Sequence, residues 1–133
     1  MALIFLLFLL LFGGFGLTMH SSTTNLEGGH VAKVIAAARL NGVRGAGALA
    51  GARLFADSGC TNCHTYGGSG SSELGAPDLT AEGAKGHSVE WLVAKLRCPS
   101  CVAPGSPMPQ FGALGAANLE KVALFLAASR GGP

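Results

Sequence analysis

The longest unbroken apolar run opens the chain: "MALIFLLFLLLFGGFGLTM" carries no charged side chain. As a helix, Ala2 to Met19 would span about 27 Å, close to the hydrocarbon thickness of a bilayer. The pattern predicts a segment that enters or crosses a membrane. A cleavable leader carries a basic n-region and a small-x-small cleavage site, whereas the first Lys or Arg here is Lys33. We therefore read residues 1–19 as a retained transmembrane anchor. Gly13, Gly14 and Gly16 weaken the helix at its far end, and they keep a cleaved signal, releasing a soluble periplasmic protein, open as the alternative.

Beyond the anchor the pattern becomes that of short amphipathic helices. "HSSTTNLEGGH" is polar and glycine-containing and reads as a linker. "VAKVIAAARLNG" places Val31, Val34, Ile35 and Ala38 on one helical face, with Gly42 after Asn41 as a stop. Residues 20–45 thus read as a linker with a short helix outside the domain, and three resting places are open to its stripe: the membrane, a partner, or the chain's own domain. "AGALAGARLFADSG" predicts the first helix of a domain over residues 46–133, with Gly51 and Phe55 sharing a face at i and i+4. A glycine at that position lets another helix approach closely.

"SVEWLVAKLR" predicts a second domain helix, with Ser88 as N-cap, Glu90 in the first turn, and Lys95 and Arg97 in the last turn where they suit the helix dipole. Pro99 is expected to stop it. A final helix near residues 116–129 stacks Leu119, Val122, Ala123 and Leu126, with Phe125 at the margin. No stretch sustains alternation with period two and no internal repeat appears, so the expected fold is an all-α domain with long loops.

Composition narrows what such a domain can do. With 133 residues, 21 of them glycine and only 12% charged, the domain is small. Short helices of this kind need extra apolar mass to close a core, which a large planar cofactor would supply. From Ala46 onward six basic residues balance six acidic ones. A neutral domain without a basic cluster lacks the footprint that neutralises phosphates, which argues against nucleic-acid binding.

The candidate chemistry lies in "SGCTNCHTYGG". Cys60-x-x-Cys63-His64 has the spacing that accepts a covalent c-type haem: two thiols can add to the two vinyl groups of one porphyrin edge while the next histidine reaches the iron. Three other readings compete. A thioredoxin-like pair wants a strand before it and a helix after, but a predicted helix precedes this one and a glycine-rich loop follows. A zinc site would have to recruit Cys98 and Cys101 as third and fourth ligands and leave His64 idle. A plain disulfide also leaves His64 without a role.

An electron-carrying haem iron needs a second axial ligand, and methionine is one standard choice. Outside the anchor the sequence holds a single methionine, Met108, between Pro107 and Pro109 in "GSPMPQFGAL". Those prolines restrict the backbone around it. A gap-filling core methionine is the other reading, and His87 is the rival ligand.

Taken in order, "GARLFADSGCTNCH", "GAPDL", "EWLVAKLR", "MPQF" and "LEKVALFL" make the stretch from about Gly45 to Ser129 resemble a class I cytochrome c. The resemblance covers about two-thirds of the chain. It implies a small cytochrome c fold of short helices around one covalent haem c, with thioether bonds from Cys60 and Cys63 and iron ligation by His64 and Met108. It implies further that the Pro77 carbonyl accepts the ring N–H of His64, orienting it and raising its basicity. Leu79 then packs on the haem, and the first helix meets the last through Gly51, Phe55 and the aromatic Phe125. For Trp91 two roles stay open, an indole bond to a propionate and plain core packing.

The chain departs from the family at "CPSCVAPGSP", where Cys98 and Cys101 precede the methionine loop without a following histidine. A second haem of this type is excluded there. Haem attachment implies an oxidising compartment, so a disulfide is expected, with free thiols as the alternative.

The function so implied is one-electron transfer by an anchored cytochrome on the periplasmic side of a bacterial inner membrane. It would work with a larger complex: a quinol-oxidising complex, a terminal oxidase or a photosynthetic reaction centre. A peroxidase-like haem enzyme would need a displaceable sixth ligand, and a non-redox anchored scaffold would bind no haem at all.

Overall fold

The structure, a computed structural model, describes residues 28–132; the anchor expected at residues 1–19 lies outside them. No helix among the described residues is long and apolar enough to cross a membrane.

Helix α1 occupies residues 28–40. Its end follows from the sequence, because Gly42 sits at φ +80 and only glycine enters that region freely. The turn is a Schellman motif: Val43 N–H donates to the Ala38 carbonyl and Gly42 N–H to that of Arg39. Ala38 and Val43 come together there and are fully buried, as is Val34. All three belong to the same buried cluster as Phe55, Tyr66 and Phe125, so this segment's apolar stripe rests on the domain.

Four more helices follow: α2 (Ala46–Asp57), α3 (Val89–Arg97), α4 (Pro99–Val102) and α5 (Ala116–Ala128). The described part is thus a small, mostly helical domain. Ser88 caps α3, its side chain accepting the Trp91 backbone N–H at 3.2 Å. Pro99 does end α3, but it also starts α4, since a proline at the first helical position loses no bond that the helix would use.

The expectation of no strand needs a small correction. Thr65–Tyr66 (β1) pairs antiparallel with Ser69–Gly70 (β2), in the register Thr65 with Gly70 and Tyr66 with Ser69. Two residues per strand are too few to leave an alternating signature. Gly67 and Gly68, both at positive φ, make the turn between them.

The core forms where α2 crosses α5. A Cβ built on Gly51 would overlap the Lys121 carbonyl, so only a glycine permits this approach. Next to it the Phe55 and Phe125 rings lie 5.4 Å apart, and Tyr66 packs on Phe125 at 4.7 Å. Phe125, expected at the margin of its helix, is fully buried and central. Ser129 Oγ donates to the Phe125 carbonyl at 2.8 Å, which leaves the Tyr66 hydroxyl to donate to Ser129 Oγ at 2.8 Å. A buried phenol without such a partner would cost a large part of what its ring contributes.

Candidate functional site

A cavity of about 570 Å³ opens between the α2–α5 crossing, α3 and two loops. That is within the range of small-molecule and cofactor sites. Phe55, Leu79, Leu92, Leu96 and Leu126 give it apolar walls.

The cysteines reach it from a tight turn. After α2, Gly59 takes a left-handed conformation and a single 3-10 turn, Cys60–Asn62, follows. Both Cys63 N–H (3.2 Å) and His64 N–H (2.9 Å) donate to the Cys60 carbonyl, and this curls the three residues around one point. Cys60, Cys63 and His64 all line the cavity. Cys60 is buried, and that burial pushes its thiol up to about 11, while Cys63 is half-buried. At neutral pH the Cys60 sulfur is therefore a protonated thiol and a poor nucleophile.

His64 is fixed by one hydrogen bond, its Nδ1 lying 2.8 Å from the Pro77 carbonyl oxygen. A carbonyl can only accept, so Nδ1 carries a proton, and in the neutral ring Nε2 is then the nitrogen with the lone pair. This is the arrangement of a metal-ligating imidazole whose second nitrogen is held by the protein.

Met108 lines the same cavity and is half-buried against the core. Its loop returns to the domain where Phe111 N–H donates to the Leu96 carbonyl at 2.9 Å. Cys98 and Cys101 bring their sulfurs together as a close pair, with Cα atoms 5.3 Å apart, a separation that suits a disulfide. Neither lines the cavity, whereas Pro77, Leu79 and Trp91 do.

Comparison with protein-family models, with curated proteins and with solved structures finds no match to this chain. The donor set must therefore speak for itself. It comprises two thiols three residues apart, an imidazole with a free Nε2, and a thioether, all on one apolar cavity. Such a set could hold a covalently attached porphyrin iron. A four-cysteine zinc site would need Cys98 and Cys101 beside Cys60 and Cys63. Among the described residues, no three His, Cys, Asp or Glu side chains gather as a metal cage.

Sequence reasoning missed a polar cluster in the cavity wall. Glu82 is buried, its side chain 8% exposed, and it holds Lys85 Nζ at 2.6 Å and His87 Nδ1 at 3.2 Å. His87 in turn stacks on Trp91, with ring centroids 3.8 Å apart, and Trp91 remains 36% exposed. The i, i+3 spacing of Glu82 and Lys85 was visible in the sequence, but nothing local marks Glu82 as buried.

Proposed function

We propose that this chain is a one-electron carrier of the class I cytochrome c kind, holding one covalent haem c. The observation that carries the reading is the His64 Nδ1 bond to Pro77, beside an apolar cavity that also receives Cys60, Cys63 and Met108. Cys60 and Cys63 would hold the group through thioether bonds, and His64 Nε2 and the Met108 sulfur would bind its iron. When bound, the haem supplies a reversible step between ferric and ferrous iron.

The chain's own residues do the rest. Pro77 fixes the imidazole, and the apolar walls exclude water from the bound group. With His64 and Met108 both holding its iron, the group would have no position left for a substrate, which supports a carrier over an enzyme. The close crossing of α2 and α5 at Gly51 supports the cytochrome c arrangement of helices. The apolar segment at residues 1–19 supports a carrier tethered to a bacterial inner membrane, its haem domain on the periplasmic side, handing electrons to or from a larger respiratory or photosynthetic complex. A tethered donor meets its acceptor at an effective concentration set by linker length, so a neutral domain needs little charge steering.

The test is chemical. The denatured chain is expected to keep a haem-sized mass increment and in-gel peroxidase staining, and pigment extractable into acidified organic solvent would end the reading. In the holoprotein, Met108→His is expected to lower the midpoint potential and remove any sulfur-to-iron charge-transfer band. If both are unchanged, another group such as His87 binds the iron.

A further inference from the structure

Residues 64–67 and 77–80 run side by side in one register. His64 Nδ1 bonds the Pro77 carbonyl, Thr65 Oγ1 donates to Asp78 Oδ2, and Gly67 N–H donates to Thr80 Oγ1 at 2.8 Å, each pair thirteen residues apart. Between them Leu79 N–H donates to the Thr65 carbonyl at 3.0 Å. The second carboxylate oxygen of Asp78 accepts the Thr80 N–H at 2.7 Å. Asp78 is therefore held from both sides, by a side chain next to His64 and by its own following turn.

The position matters because the Pro77 carbonyl and the Asp78 N–H share one rigid peptide plane. Pro77 has no N–H with which to brace itself. What fixes the direction of its carbonyl is the anchoring of the next two residues, Asp78 through its carboxylate and Leu79 through its N–H. We propose that Asp78 is a positioning residue for the iron ligand: the Thr65–Asp78–Thr80 clamp sets how firmly the Pro77 carbonyl polarises the His64 ring N–H, and so how strongly Nε2 donates to iron. This rests on the haem reading above. A firm bond gives the imidazole more imidazolate character, which favours ferric iron. Loosening the clamp therefore raises the midpoint.

Asp78 has a second route to the iron through its charge. Its burial is slight and opposes ionisation, yet hydrogen bonds from Thr65 and Thr80, with the charge of Lys85, hold the carboxyl below its ordinary value. The substitutions separate the two routes. Asp78→Asn removes the charge and keeps an amide able to bond Thr80 N–H and Thr65. Asp78→Ala removes both, and Thr65→Val removes the clamp while leaving the charge.

The experiment is an equilibrium redox titration of the full-length holoprotein and these variants, with thermal melting alongside. In Asp78→Ala and Thr65→Val the ratio of reduced to oxidised protein at a fixed potential is expected to rise about threefold, an upward midpoint shift of about 30 mV for a one-electron couple. Asp78→Asn is expected to shift less, and Thr65→Ser, which keeps the hydroxyl, to match the unaltered chain. Lower melting temperatures with unmoved midpoints would overturn the proposal by making Asp78 a structural turn residue. A full shift in Asp78→Asn with Thr65→Val unmoved would overturn it in favour of charge alone. An unaltered chain lacking covalent pigment would fail the haem reading itself, and the mass measurement separates that failure from the others.

Discussion

The two segments that bring the proposed iron ligands to the cavity are built by different physics. The histidine segment, residues 60–80, is cross-linked by directional polar bonds that join His64, Thr65 and Gly67 to Pro77, Asp78 and Thr80. The methionine segment, residues 98–111, follows its own local turns and rejoins the domain through Phe111 and Leu96. What restricts it lies along the chain itself: Pro107 and Pro109 on either side of Met108, and the close Cys98–Cys101 pair at its start. Hydrogen bonds fix the orientation of a planar ring, which an imidazole ligand needs. A thioether has no plane to orient, so restricting the chain that carries it is enough.

The sharpest way to break this comparison is Gly70→Ala. Gly70 has φ +104, and a Cβ there would overlap the His64 carbonyl while meeting the Thr61 carbonyl at 3.0 Å. Neither backbone can move without disturbing the cysteine turn. The expected cost exceeds about 3 kcal/mol of stability, read as a large drop in melting temperature together with poor haem incorporation. A near-normal protein would mean that the histidine segment is far softer than its bonds indicate.

Replacing both Cys98 and Cys101 with serine tests the covalent side. If the pair is a disulfide, it closes a very short loop, and chain-entropy arguments give it about 2 kcal/mol. Thermal unfolding is expected to show that loss, and the spectroscopic signature of methionine ligation is expected to weaken while histidine ligation persists. Two alkylated cysteines in the unfolded, unreduced parent chain would show that no bond was there to lose.

Gly105→Ala is the counterpart of the Gly70 change and is expected to be milder. Gly105 also has positive φ, +82, but nothing lies within 4 Å of a Cβ there. The cost is then the left-handed conformation alone, about 1 kcal/mol, measurable by denaturant melts. A loss as large as that of Gly70→Ala would show that the methionine segment tolerates no more than the histidine one.

The same contrast explains what could be read from the sequence. Cys60, Cys63 and His64 were legible because their chemistry is local, and Gly51 because helical periodicity puts it on the Phe55 face. The helix bounded by Ser88 and Pro99 was legible from its cap and its stop. Pro77 was reached through resemblance, thirteen residues beyond His64, but the rungs at Thr65–Asp78 and Gly67–Thr80 were not, although they keep the same spacing. Side-chain bonds across a loop follow no period; they depend on how the loop closes. Glu82 escaped for a related reason, since its burial is imposed by neighbours that no local pattern reveals.

The smallest expected effect separates the two segments by acid. Asp78 titrates below its ordinary value of 3.8 because the folded chain stabilises its charged form. The sign follows from linkage: the unfolded state binds the proton more readily, so the contribution is present above 3.8 and is lost as pH falls through the lower folded value. Protonation turns two charge-assisted bonds into neutral ones. The group is exposed, so the loss is screened by salt and small, and it is best read by NMR. On acidification below pH 3.8 the amide signals of Thr65, Gly67, Leu79 and Thr80 are expected to shift with one common midpoint, and those of Ser106 and Phe111 to remain still. Phe111 moving with that same midpoint would mean that the two segments respond as one unit, and the division between bonded and covalently restrained ligand segments would fall.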